Sequence, residues 1–297
     1  MFLVVPIIVS LIPGLAWLWV FVNRDIYRHK SWRLIGLTFI LGGISTIPAG
    51  VLNSYFIDES VFEGGLNFGT FAMQMLLVVG PVEEVSKFAA VWARAYHSTH
   101  FDEPMDGLVF AAAASLGFAT VENVLYVLWF GAEVMIVRAP ISTLGHVVFG
   151  SIWGYALARS FQKGQKGENR IITIAGGLLL AAGAHALFNT LLFGFPPGAF
   201  IMTAVGAVWV ASRFRWAQQT SPFRFKQNYP NMPCPSCSQH IRVTSKYCRY
   251  CGKLVPDVDF RQVLLFCGSC GTSNGIRAKQ CVSCDETLVL RKLRRAY

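Results

Sequence analysis

The sequence predicts an all-α polytopic membrane protein of about seven transmembrane helices, followed by a small cysteine-rich β domain held together by metal. Three observations carry this expectation. The chain is 54% hydrophobic and only 14% charged, with a mean hydropathy of +0.46, which is too apolar for an ordinary soluble domain. Its apolar residues fall in blocks long enough to cross a bilayer. All cysteines lie from Cys234 onward, in the same region as essentially all of the net charge of +10.

Blocks of about 20 apolar residues place spans at 2–22, 32–56, 68–93, 107–130, 139–160, 171–194 and 196–212. The first lacks a basic leader and a small-residue cleavage site, so it is expected to be retained rather than removed as a signal peptide. Loops 23–33, 94–107 and 159–170 hold most of the basic loop residues, whereas 54–67 is acidic and 193–200 is neutral. The positive-inside rule then predicts an N-terminus outside the cell and a cytoplasmic tail. The stretch SRFRWAQQ (212–219) adds a basic, aromatic anchor on the cytoplasmic side. The expected organisation is a membrane domain over 1–212, a basic linker over 213–229, a metal-held domain over 230–290 and a basic tail over 291–297.

The tail repeats one pattern. Cys234-x2-Cys237 is followed after ten residues by Cys248-x2-Cys251, and Cys267-x2-Cys270 after ten residues by Cys281-x2-Cys284. Each close pair turns two thiolates toward one metal, and two pairs complete the tetrahedral four-cysteine site that zinc prefers. A disulfide framework is disfavoured in a reducing cytoplasm, while rubredoxin-like iron takes the same ligands. Two structural zinc ions are expected, one per repeat, with pairing of Cys248/Cys251 to Cys267/Cys270 as the alternative. The repeat resembles a tandem zinc ribbon, a β-knuckle fold. Four cysteines leave no open position on the metal, so the ions are structural, and so small a segment needs them to fold. Its positive charge, with Tyr247, Tyr250 and Phe266, suits docking of a cytoplasmic protein or a regulatory contact first, anionic lipid second and nucleic acid least.

The membrane part raises a sharper question. Residues 78 to 92, VVGPVEEVSKFAAVW, set Glu83, Glu84 and Lys87 inside a span. Each charge at mid-bilayer costs about 2.5–3.5 kcal/mol if it faces lipid, so the three must face an interior. On a helix Lys87 reaches either glutamate, and Gly80-Pro81 weakens the helix just before them. Glu122 and Asn123, His146, and His185 with Asn189 lie in other spans at similar depth. Singly, such groups serve as interhelical hydrogen bonds or ion pairs. Jointly, acid and base groups in one dry layer are what activation of water requires. The chain has no H-E-x-x-H or G-x-S-x-G motif and no intramembrane cysteine, which removes zincin, serine-elbow and thiol chemistry from that layer. Hydrolysis by an activated water remains, with a proton-coupled transporter or a membrane scaffold as the non-enzymatic alternatives.

In order, EEVSK (83–87), FATVEN (118–123), His146 and HALFN (185–189) resemble the PrsW family of intramembrane endopeptidases, related to the CaaX-protease and bacteriocin-processing (CPBP) superfamily. Lys87 and Glu122 stand where that superfamily usually has Arg and His, which favours PrsW over prenyl-protein substrates. The resemblance covers 1–212 and implies regulated cleavage of a membrane-anchored protein, such as an anti-sigma factor, in a bacterial cell membrane. It implies Glu83 as the base that activates water, with Glu84 held by Lys87. Glu122 and His146 would orient the water or shuttle protons, His185 with Asn189 would polarise the scissile carbonyl and stabilise its oxyanion, and Asn123 belongs to the same expected site. A catalytic metal on Glu and two His is the alternative to a metal-free, glutamate-dependent reaction.

Overall fold

A computed structural model of the chain describes residues 4–26, 31–57, 67–98, 100–101, 103–162, 168–221, 231–242, 248, 250–254, 264–266, 273–275 and 280. Within these, the chain forms two compact units, Met1–Thr220 and Ser221–Tyr297. The first is helical: α1 (Val4–Val22), α2 (Trp32–Ile44), α3 (Thr46–Phe56), α4 (Phe68–Gln74), α5 (Gly80–Arg94), α6 (Pro104–Phe130), α7 (Thr143–Gln162), α8 (Glu168–Gly194) and α9 (Pro196–Thr220).

Local chemistry sets the helix limits. Ser31 caps α2 by accepting from the Leu34 N–H, and Asn67 caps α4 by accepting from Gly69 and Thr70. Pro104 opens α6 behind a capping box of Glu103 and Asp106, and Gly131, at φ 86°, ends it. That left-handed conformation suits a residue without a Cβ.

Among the described residues, six helical stretches are long and apolar enough to cross a membrane: Val4–Val22, Trp32–Phe56, Pro104–Phe130, Ala132–Ser160, Asn169–Gly194 and Pro196–Thr220. The expected span at 68–93 is not among them. It is helical throughout, but it is built from α4, a π turn over Met75–Val79 and α5, and it carries the buried charges. The span expected from 139 starts at Ala132, because short turns over Ala132–Ser142 lead into α7. The last helix continues past the expected limit at 212 to Thr220.

The hub is α6, enclosed along most of its length and packed against α1, α2 and α7. Small residues allow the approach. A Cβ on Gly42 would strike the Ala114 backbone and one on Gly117 the Phe39 carbonyl, while Gly107 and Gly154 face each other across α6 and α7. In a bilayer, where lipid competes equally for apolar side chains, such close backbone contact is a main source of helix association.

The second unit holds two short antiparallel pairs. β1 (Asn231–Pro233) pairs with β2 (His240–Arg242), and β3 (Leu264–Phe266) with β4 (Ser273–Gly275). Cys267, Cys270, Cys281 and Cys284, with residues 222–229 of the expected linker and the basic tail, lie outside the described residues.

Candidate active site and metal centre

Two π turns, each associated with a proline, shape the membrane site. Pro81 has no N–H to continue the helical ladder, and the preceding turn widens so that the Gly80 N–H reaches the Met75 carbonyl. A second π turn, Arg138–Ser142, contains Pro140 and is held to α1 by the Trp17 Nε1–H donating to the Ala139 carbonyl at 3.1 Å. Such turns rotate the helix beyond them and recur at functional sites. Here they aim Glu83, Glu84 and Lys87 from α5, and Arg138, into one interior.

Glu84 is the most completely engaged group. Its Oε1 accepts from Lys87 Nζ at 2.8 Å and from His185 Nδ1 at 2.9 Å, and its Oε2 from Trp153 Nε1 at 3.0 Å. A carboxylate accepts only, so His185 donates from Nδ1, which in the neutral imidazole leaves the lone pair on Nε2. Lys87 Nζ lies 2.9 Å from His146 Nδ1 and 4.4 Å from the Phe118 ring centre. An ammonium only donates, so His146 accepts on Nδ1 and donates from Nε2 to Glu122 Oε2 at 2.9 Å. Glu122 also accepts from Arg138 at 2.7 Å, and Arg138 Nε donates to Asn123 Oδ1 at 2.7 Å. One polar chain therefore runs from Trp153 through Glu84, Lys87, His146, Glu122 and Arg138 to Asn123. Asn123 closes it on Thr143 Oγ1 at 2.9 Å. Buried charges persist only when paired and hydrogen-bonded in this way.

Glu83 differs. Its Oε2 has no hydrogen-bond partner, lying 3.7 Å from His185 Nε2 and 3.6 Å from Lys87 Nζ. Oε1 is reached by Asn53 Nδ2 at 3.5 Å. Glu83 lines a cavity of about 620 Å³, as do Glu122, His146, His185 and Asn189. Of the residues expected at the site, Glu84, Lys87 and Asn123 stand behind its wall. Asn189 faces the cavity and its amide meets only the Met75 sulfur, at 3.7 Å, among the described side chains.

Sequence reasoning missed Arg138, Asn53 and Trp153. Arg138 stands at the edge of an expected span, where arginine is an ordinary anchor, and only the structure shows it buried. Asn53 sits beside an acidic loop where a polar residue is unremarkable, and Trp153 looks like any apolar residue of a span.

Glu83, His146 and His185 bring candidate ligand atoms within 4.8 Å of one another, a carboxylate and imidazole set of the kind that binds zinc. Glu83 Oε2 and His185 Nε2 have lone pairs to give. His146 has none, because Lys87 and Glu122 take both ring nitrogens. Lys87 also puts its own cation 3.6 Å from Glu83. The set as arranged does not fit a metal unless Lys87 withdraws.

The tail cluster fits one well. Cys234, Cys237, Cys248 and Cys251 converge, with Sγ···Sγ separations of 3.8 Å for Cys234–Cys251 and 3.6 Å for Cys237–Cys248. Tetrahedral zinc with Zn–S of about 2.3 Å requires about 3.8 Å between sulfurs. The two halves are built alike. The Ser236 N–H donates to Cys234 Sγ and the Tyr250 N–H to Cys248 Sγ, each at 3.4 Å. The fourth residue after each leading cysteine, Ser238 and Gly252, takes positive φ of 61° and 69°. The convergence of these four favours one metal per repeat over the crossed pairing. The donor set is consistent with structural zinc.

Comparison with known proteins agrees with this geometry. The family described as PrsW family intramembrane metalloprotease matches residues 30–214, and the double zinc ribbon family matches 234–285. Protease PrsW of Bacillus subtilis (strain 168) is 31% identical over 180 residues, 61% of this chain and 79% of its own length. Protease PrsW of Shouchella clausii (strain KSM-K16) is 29% identical over 199 residues, 67% of this chain and 87% of its own. No solved structure matches the chain. With the matched region enclosing both glutamates, both site histidines and the cavity, the chain belongs to the PrsW family of intramembrane proteases.

Proposed function

We propose that the chain cleaves a peptide bond in a membrane-anchored protein by glutamate-activated water, with Glu83 as the base. The observation that carries this reading is Glu83 Oε2 at the cavity wall, without a hydrogen bond among the described residues and 3.7 Å from His185 Nε2. Polar groups separated this way can be bridged by a water. Glu83 takes one proton of that water as its oxygen attacks the scissile carbonyl carbon, while His185 Nε2 accepts a hydrogen bond from the other. Glu84 holds the His185 ring in that tautomer, as the aspartate of a catalytic triad does. Because His185 accepts rather than donates, the oxyanion falls to the Asn189 amide, whose sulfur contact is weak and easily exchanged. The proton on Glu83 then passes to the leaving nitrogen as the C–N bond breaks. Three carboxylates face two cations, Lys87 and Arg138, in this cluster, which leaves charge room for one mobile proton.

The test uses the full chain in proteoliposomes with a single-span substrate. Glu83→Ala should remove cleavage, about 10²–10⁴-fold for loss of a general base, with insertion unchanged. Retained proteolysis in the purified variant defeats this mechanism. A second reading, metal-dependent hydrolysis at the same site, draws on the nearness of Glu83, His146 and His185 and on the description of the family as metalloproteases, and it needs Lys87 to withdraw. It requires a bound metal that disappears with His146→Ala or His185→Ala.

The loop charges support an outside N-terminus and cytoplasmic ribbons carrying two zinc ions, one per repeat. In that arrangement the ribbons dock a substrate or regulator, with anionic lipid as the other partner class. A membrane-anchored regulator such as an anti-sigma factor is the substrate class this arrangement suits.

A further inference from the structure

Helix α3 presents two unlike faces. Ile47, Val51, Leu52, Tyr55 and Phe56 are exposed on its outside. Thr46, Ala49, Gly50 and Asn53 line the cavity, at the i, i+3, i+4, i+7 spacing of a single helical stripe. Large apolar residues outward suit a span that faces lipid, and the small inner stripe borders an open cavity of about 620 Å³.

Gly50 is the informative position. Gly42 and Gly117 are glycines because a Cβ would strike a neighbouring backbone, whereas a Cβ on Gly50 meets nothing within 4 Å. Gly36, Gly176 and Gly183 share that freedom, but none of them lines the cavity. Packing does not require glycine at position 50, and glycine is a poor helix former. Asn53, three residues on, reaches Glu83 at 3.5 Å, so Gly50 lies one helical turn from the residue that touches the reacting carboxylate. Two buried oxygens of these cavity-lining residues, Glu83 Oε2 and Asn53 Oδ1, lack hydrogen-bond partners. Buried polar atoms are normally hydrogen-bonded, so these two call for a water or another polar group beside them. A polar strip for a peptide backbone thus runs beside open room for a side chain, walled by Phe71, Val79, Leu125 and Phe188.

We propose that Gly50 sets the size preference of the enzyme: the cleaved segment carries a bulky apolar residue, of the Leu or Phe class, beside the scissile bond, and the missing side chain of Gly50 makes room for it. The proposal rests on the peptidase reading of the Glu83 site. Any larger residue at position 50 occupies that room without disturbing the polar chain behind the wall.

The full chain in lipid nanodiscs is given four single-span peptides that differ only in Ala, Val, Leu or Phe at a central position, and cuts are mapped by mass spectrometry. Wild type should cut beside Leu and Phe about tenfold or more faster than beside Ala, the discrimination an apolar pocket achieves. Gly50→Val should slow the Phe peptide by about tenfold while leaving the Ala peptide within about twofold. Gly36→Val, which also adds a side chain in open space but away from the cavity, should keep the wild-type pattern. Equal slowing of all four peptides by Gly50→Val, or no change in any, overturns the proposal. Wild-type cutting without size preference overturns it while sparing the peptidase reading; a wild type that cuts none of the peptides defeats both.

Discussion

Glu83 and Glu84 are consecutive residues with opposite surroundings. Glu84 accepts hydrogen bonds from Lys87, His185 and Trp153, whereas Glu83 Oε2 accepts none and Glu83 lines the cavity. Neighbours on an α-helix point about 100° apart, and that rotation gives one carboxylate to the packing between helices and the other to the cavity.

The two should therefore fail differently when neutralised. Glu83→Gln is expected to keep the unfolding temperature in detergent while losing cleavage by about 10²–10⁴-fold. Glu84→Gln takes from Lys87 its 2.8 Å counter-charge and leaves only the 3.6 Å pair with Glu83; breaking a buried pair costs on the order of 3–5 kcal/mol, so the unfolding temperature should fall as well as activity. If Glu84→Gln is the stable, inactive variant and Glu83→Gln the unstable one, the roles are reversed.

Gly80 tests whether the position of α5 matters to the chemistry. A Cβ there would strike the Ala182 carbonyl of α8, so Gly80→Ala must push α5 from the helix that carries His185. A displacement of about 1 Å can cost about 10²-fold in rate. Gly80→Ala should lose activity on that scale, while Gly176→Ala, whose Cβ meets nothing within 4 Å, should not. Equal rates for the two would mean that the Glu84–His185 contact tolerates movement.

Much of the site was legible from the residues alone, for a physical reason. Glu83, Glu84 and Lys87 stood out because charge at mid-membrane is expensive enough to demand an explanation. What could not be read was helix rotation: whether Glu83 or Glu84 faces the cavity depends on the π turn over Met75–Val79, and no residue in MLLVV announces one. Arg138 stands at an expected span edge, where arginine is an ordinary anchor and draws no attention to itself. The longer helical run from Ala132 puts it inside. The similar depth expected for Glu83, His146 and His185 corresponds to ligand atoms within 4.8 Å, closer than span limits alone could establish.

Arg138 has its own test. Its guanidinium donates to both Glu122 and Asn123 and stacks 3.6 Å from the Tyr126 ring centre, a planar, two-point contact that lysine cannot reproduce. Arg138→Lys should lose about 1.5–3 kcal/mol for the missing charged hydrogen bond, read as lower thermal stability and a slower cleavage rate. Full activity with lysine would show that Glu122 needs only a nearby positive charge.

Removing metal separates the two units. The four convergent cysteines hold sulfurs at spacings that suit zinc, while in the membrane site Lys87 and Glu122 occupy both nitrogens of His146. Metal content per chain should therefore fall in Cys248→Ser and vanish in a chain ending at Ser221. That truncated chain retains the whole helical unit, Met1–Thr220, and should cleave a single-span substrate in the presence of chelator. Structural zinc contributes to folding, so chelation of the full chain should unfold the ribbons while leaving the membrane chemistry in place. A truncated chain that keeps one metal ion, and loses it together with activity in His185→Ala, would mean that Lys87 does withdraw and that the water is activated by metal.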